Sequence, residues 1–209
     1  WGYNGWGQLG DDTTTQSLIP VVVKLISGGV PAVAISTGDY HSCALLANGT
    51  AKCWGNNSSG QLGKNTTTNS TIPVVVSGLA SAVTLSAGGS DSCAVLANGQ
   101  AKCWGYNFSG QLGNNTTTNA LKPVVVSGLS NAVAISAGGA HSCAMLADGT
   151  AKCWGANGFG QLGNNTTTNS SIPVVVSGLV NAVAISAGDY QSCASLANGT
   201  AKCWGANGS

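Results

Sequence analysis

Arginine and glutamate are absent from this 209-residue chain, and charged residues of any kind make up only 6 % of it. Seven lysines against six aspartates leave a net charge of +1. Nucleic-acid binding, which leans on clustered basic residues that neutralise phosphates, is therefore not expected. No apolar run approaches the eighteen or so residues of a membrane span, since even the Pro-Val-Val-Val segments stop at Ser-Gly, so membrane insertion is not expected either. No Gly-Lys-Ser/Thr phosphate loop and no Cys-x-x-Cys occurs. His41 and His141 have no free thiol or evident serine nucleophile beside them, and the aspartates are scattered apart from Asp11-Asp12, a pair that reads as a loop cap. No catalytic residue, cofactor or metal is expected, and the chain is not read as an enzyme.

What the chain does contain is one sentence of about fifty residues written four times. Aligned on tryptophan, the copies run 1–53, 54–103, 104–153 and 154–203, and Trp204 opens a fifth that ends at Ser209. A period of this length marks a solenoid, propeller or repeat array, here taken as one repeat domain. The start at Trp1, without a methionine, reads as a mature or cut segment.

Within one copy, Ala82 to Ala87 reads as a short strand followed by a Gly88-Gly89 corner. Ser92 to Leu96 and Gln100 to Trp104 flank Ala97-Asn98-Gly99, a three-residue hairpin connection. If Leu96 faces Gln100, Cys93 falls opposite Cys103 at a non-hydrogen-bonded position, where Cα atoms approach to roughly 4.5 Å. The same counting pairs Cys43 with Cys53, Cys143 with Cys153 and Cys193 with Cys203. The alternative is eight reduced cysteines packed as small core residues; a zinc site fits the spacing less well. Four regular disulfides imply an oxidising compartment: extracellular, cell-surface or periplasmic. Proline leading a valine run at Pro123-Val-Val-Val suits an edge strand. Four strands per copy, each copy stapled by one cross-strand disulfide, describe the blades of an all-β propeller.

Gly138 to Thr150, and the Trp-Gly-x-Asn-x-x-Gly-Gln-Leu-Gly stretches at 1–10, 54–63, 104–113 and 154–163, resemble the regulator of chromosome condensation repeat. That resemblance implies a propeller, typically of seven blades closed by a strand shared between the chain's ends. The paired cysteines and low charge are more similar to the secreted bacterial branch than to the nuclear exchange factors. Four copies either close a smaller ring, with the stretch near Pro20 to Val23 completing the blade that ends at Trp204, or form a window of a longer array. Trp1 and Trp204 open equivalent segments, which favours the window.

Comparison of the copies separates fixed positions from variable ones. One variable group precedes the first cysteine (Tyr40, His41, Asp91, His141, Tyr190, Gln191) and the other follows the tryptophan (Tyr3, Trp6, Tyr106, Phe108, Phe159). Hairpin register brings both to one end of each blade, so they are expected on one face, available to a protein or glycan partner or to a second copy; neutral drift on exposed loops is the alternative. Asn-x-Ser/Thr sequons at Asn57, Asn65, Asn107, Asn115, Asn165, Asn169 and Asn198 are possible glycosylation sites, and sugars there would help a chain of mean hydropathy +0.19 stay dissolved. The expected function is a non-catalytic extracellular or cell-surface adhesion scaffold. A filament or sheath subunit is an alternative, as are, by family analogy, an inhibitor of a secreted enzyme and a guanine-nucleotide exchange factor. Against exchange activity stand the missing arginine and the lack of any irregularity beyond three extra residues between Lys24 and Pro31.

Overall fold

The computed structural model describes residues 1–24 and 29–207. The three-residue irregularity falls largely on residues 25–28, outside the described residues. Fifteen strands form four antiparallel sheets, and no helix occurs among the described residues. The first sheet is β1 (Ala32–Thr37), β2 (His41–Leu46), β3 (Ala51–Gly55) and β4 (Ser70–Val75), in that order from the axis outward. The second is β5 (Ala82–Ala87), β6 (Asp91–Leu96), β7 (Ala101–Gly105) and β8 (Ala120–Val125). The third is β9 (Ala132–Ala137), β10 (His141–Leu146), β11 (Ala151–Gly155) and β12 (Ser170–Val175). The fourth has three strands, β13 (Ala182–Ala187), β14 (Gln191–Leu196) and β15 (Ala201–Gly205). Each sheet is a propeller blade, and the first strands β1, β5, β9 and β13 pack side by side around the axis.

The hairpin between the second and third strands has the register the spacing implies. Leu96 N–H donates to the Gln100 carbonyl across the turn, and Cys93 faces Cys103. All four pairs are disulfides, with Cα atoms 4.0 to 4.1 Å apart. The outer strand differs in detail from the sequence reading. It starts three residues before its proline, so Pro73 lies inside β4, where the pairing slips between Cys53–Val74 and Gly55–Ser70. An edge strand at a register irregularity is where a residue without an N–H costs least. Pro20 to Val23 form no strand: Ser17 pairs only with Gly2, and residues 1–24 lie on the first blade instead of joining β15.

The apolar core lies between blades, not within them. One cluster joins Cys43, Leu45, Cys53, Leu62 and Val76 to Ala94, Leu96 and Trp104 of the next blade, and two equivalent clusters fill the following seams. A four-stranded sheet of small residues cannot bury its own faces, so each blade depends on its neighbour. The seam also carries a repeated polar latch. The Gln61 carbonyl accepts from Trp104 Nε1 at 2.9 Å and from Ser92 Oγ at 3.0 Å, both on the following blade. The carbonyls of Gln8, Gln111 and Gln161 receive the next tryptophan and serine in the same way. Gly63, at φ +67°, sits so close to the indole that a Cβ would stand 2.9 Å from Trp104 Nε1. Nearer the axis, Ser36 Oγ accepts from Ala87 N–H of the next blade, and Ser86 and Ser136 repeat that contact.

His41, Asp91 and His141 belong to this seam. His41 Nε2 and Ser92 Oγ are 2.8 Å apart, as are His141 Nε2 and Ser192 Oγ, while both Nδ1 atoms and both Asp91 carboxylate oxygens are buried without a hydrogen-bond partner. Burial holds each imidazole neutral and lowers its pKa to about 4. Burial pushes the Asp91 carboxyl well above the usual carboxylate range, and the nearby Asp39 charge adds to the rise.

The signs of these shifts oppose one another. Between pH 6.5 and about 4 the unfolded chain binds protons that the folded histidines refuse, so their contribution falls as the pH drops. Asp91 keeps a proton in the fold that the unfolded chain sheds above its ordinary pKa, so its contribution is lost as the pH rises through the folded value. The histidines by themselves lower the unfolding free energy between pH 7 and 4.5 by on the order of 2 kcal/mol each, Asp91 offsets part of this, and because two groups oppose one we expect urea midpoints to fall over that range. The double variant His41→Gln/His141→Gln, which installs the residue found at Gln191, should flatten that profile; an unchanged profile would remove the histidines as its cause. Asp91→Asn should raise the midpoint at pH 7. Replacing both members of the Cys93–Cys103 pair by alanine should cost roughly 2 to 3 kcal/mol in the same measurement, as expected for a loop of this length.

Candidate interaction face

Strand register brings the corner before each first cysteine against the loop after each tryptophan. Asn56 N–H donates to the Tyr40 carbonyl at 2.8 Å, and Tyr106, Ala156 and Ala206 make the same bond to Ser90, Ala140 and Tyr190. Each loop is then fixed by a buried asparagine that the sequence reading treated only as a motif letter or a sequon. Asn57 Oδ1 accepts from Leu62 N–H, and its Nδ2 donates to the carbonyls of Thr66 and Thr68, pinning the threonine-rich loop. Asn4, Asn107 and Asn157 do the same. The recurrence of Asn at a fixed distance before Gly-Gln-Leu-Gly was the available signal. Its side-chain oxygen and nitrogen both have a partner, so the scaffold under the loop tips is rigid.

The tips themselves are aromatic and open. Tyr3, Trp6, Tyr40, Phe108, Phe159 and Tyr190 are all exposed, and Tyr106 is half-buried. Phe159 meets Tyr190 edge-on at 5.3 Å between ring centres, and Tyr106 meets Phe108 at 4.9 Å. Tyr3, Trp6 and Tyr40 line an open groove of about 780 Å³ together with Asn56, Ser58, Asn69 and Ser90. No lining residue carries a charge.

The other sequence-selected residues separate into two sets. His41, Asp91 and His141 are buried in the seams and contribute no surface to this face; only Gln191, on the last blade, is exposed. They directly follow the corner residues Tyr40, Ser90 and Ala140, and strand alternation turns them inward, where a neighbouring blade covers them. Of the sequons, Asn57 and Asn107 are the buried loop clamps, with their Nδ2 atoms engaged, which removes them as acceptor sites. Asn65, Asn115, Asn165, Asn169 and Asn198 are exposed.

Around the axis the corners Thr37-Gly38-Asp39, Ala87-Gly88-Gly89, Ala137-Gly138-Gly139 and Ala187-Gly188-Asp189 converge on a shallow mouth of about 210 Å³. Gly89 N–H donates to the Gly138 carbonyl and Gly139 N–H to that of Gly188, so the blades are also tied here by main chain. Partial burial, helped by the Asp189 charge across the mouth, raises the Asp39 pKa. Among the described residues no group of three or more His, Cys, Asp or Glu is placed to hold a metal.

The same architecture recurs in known proteins. The chain is 33 % identical over 73 residues to the ultraviolet-B receptor UVR8 of Arabidopsis thaliana, a segment that is 35 % of this chain and 16 % of that protein. The structure of Prp20p from Saccharomyces cerevisiae, described with its binding properties to Gsp1p and histones, superposes with a TM-score of 0.83 at 22 % identity over 93 % of this chain and 50 % of that one. The ectodomain of the receptor kinase CR4 from Physcomitrella patens superposes with a TM-score of 0.58 at 26 % identity over 91 % of this chain and 45 % of the ectodomain. The chain thus spans at most half the length of these proteins. The model of the regulator of chromosome condensation (RCC1) repeat matches residues 1–45, 48–96, 98–145 and 148–195. With that repeat covering nearly the whole chain and the blades built as described, the protein belongs to the regulator of chromosome condensation (RCC1) repeat family.

Proposed function

We propose that this chain is a non-catalytic interaction scaffold of the cell exterior or cell surface, working through its aromatic-tipped face. The observation that carries the reading is the concentration of six exposed aromatic side chains on loops whose framework repeats from copy to copy. Exposed aromatic groups on a rigid support are the residues best suited to anchor a partner, because they bury large area at low entropic cost. Four disulfides suit an oxidising compartment, and the similarity to a receptor-kinase ectodomain supports the same location. Glycans on the exposed asparagines would supply the surface hydration that a chain with 6 % charge lacks.

Two outcomes check this reading. The combined variant Tyr40→Ala/Phe108→Ala/Phe159→Ala/Tyr190→Ala should weaken binding of the labelled protein to cells of its source about tenfold or more. Its thermal midpoint should stay within about 3 °C, since these side chains are solvent-facing; equal binding by the variant would defeat the proposal. Peptide mapping after secretion from a glycosylating host should find sugar among Asn65, Asn115, Asn165, Asn169 and Asn198, with Asn57 and Asn107 unmodified.

A further inference from the structure

We propose that the groove flanked by Tyr3, Trp6 and Tyr40 binds a neutral oligosaccharide. The inference rests on the interaction-face reading and narrows it to one site and one ligand class. A pyranose ring offers an apolar C–H face and a rim of hydroxyls, each both donor and acceptor, and it carries no charge. The groove matches each of these properties. Three exposed aromatic rings in its lining offer stacking surface. The lining also holds two amides and two hydroxyls, from Asn56, Asn69, Ser58 and Ser90, of which the Ser58 hydroxyl already donates to Asn56 Oδ1 and so offers its lone pairs.

The orientation of the amides is set from below. Asn56 Oδ1 accepts from Ser58 N–H and from Gln61 Nε2, and Asn69 Oδ1 accepts from Asn57 N–H at 2.8 Å. With their oxygens engaged by the scaffold, both Nδ2 groups have no partner among the described residues; Asn69 is exposed, and Asn56, although buried as a residue at 8 % exposure, lines the groove, so both can donate into it. The Tyr3 ring lies over Gly5, where any larger residue would displace it. A volume of about 780 Å³ is within the roughly 300–1,000 Å³ of small-molecule sites.

The absent charges decide against other ligands. An anionic sugar, a phosphate or an acidic peptide would lose hydration in the groove with no cation lining it to compensate. A neutral sugar loses hydroxyl hydration only, and the amides and serines replace it.

The test uses the full chain with cellohexaose, chitohexaose, mannohexaose and maltohexaose as neutral probes and a hexagalacturonate as the acidic one, read by titration calorimetry and saturation-transfer NMR. At least one neutral probe should bind with one site per chain, and the acidic probe should bind about tenfold more weakly or not at all. Trp6→Ala and Tyr40→Ala should each weaken binding about tenfold, Phe108→Ala by less than about twofold, and Tyr40→Phe, which keeps the ring, by less than about threefold. Tyr40→Phe keeps the test decisive if an alanine variant fails to fold. The proposal is overturned if no neutral probe binds up to about 10 mM, a concentration that would reveal even millimolar affinity. Binding unaffected by both alanine variants, or preference for the acidic probe, would overturn it equally. Loss of cell binding in the four-aromatic variant, together with no response to any hexasaccharide, would leave the interaction face standing and sink the glycan assignment alone.

Discussion

The structure depends on one repeated contact: the main-chain carbonyl of each Gly-Gln-Leu-Gly glutamine receives the indole N–H and the serine hydroxyl of the following blade. A sheet of alanine, serine and valine has too little apolar side chain to bury itself, so stability must come from the seam. The tryptophan supplies the largest buried side chain there, and its only polar atom must have a partner. A tight turn with glycine at positive φ brings that carbonyl close enough, which explains why glutamine's neighbours vary so little between copies while its own side chain serves a second purpose, accepting from the loop backbone in several copies.

That seam also divides the variable residues. Adjacent positions on a strand end point to opposite sides, so the tyrosine of a Tyr-His corner reaches solvent while its histidine enters the seam. Exposed aromatic surface and cohesion are therefore written in neighbouring residues. The seam holds an imidazole in two copies and a carboxyl in another at the same buried position, so this variation lies beneath the surface that a partner could touch. The rigid asparagine clamp below the loops allows the tips to vary without loosening the blade.

The sequence made the strands of the central hairpin, the cysteine pairing and the common end of the variable groups legible, because each follows from counting along a two-residue period from a defined turn. It misjudged Pro123 as a strand leader, since local preference says nothing of the register slip between Cys103 and Gly105 that accommodates it inside β8. It also read Asn57 and Asn107 as acceptor sites. A sequon is a three-residue pattern, whereas the bonds that occupy these side chains come from residues up to 11 positions away.

By itself, then, the amino-acid order determined the blade: its repeat length, its hairpin and its disulfide, all of them local relations. Only the tertiary structure decided which of two adjacent polar or aromatic residues meets water and which meets the next blade. It also brought Tyr3 and Trp6 beside Tyr40, more than thirty positions away, across a seam. The reason is that burial is a property of blade stacking, and no residue carries in its own neighbourhood the identity of the surface that will cover it.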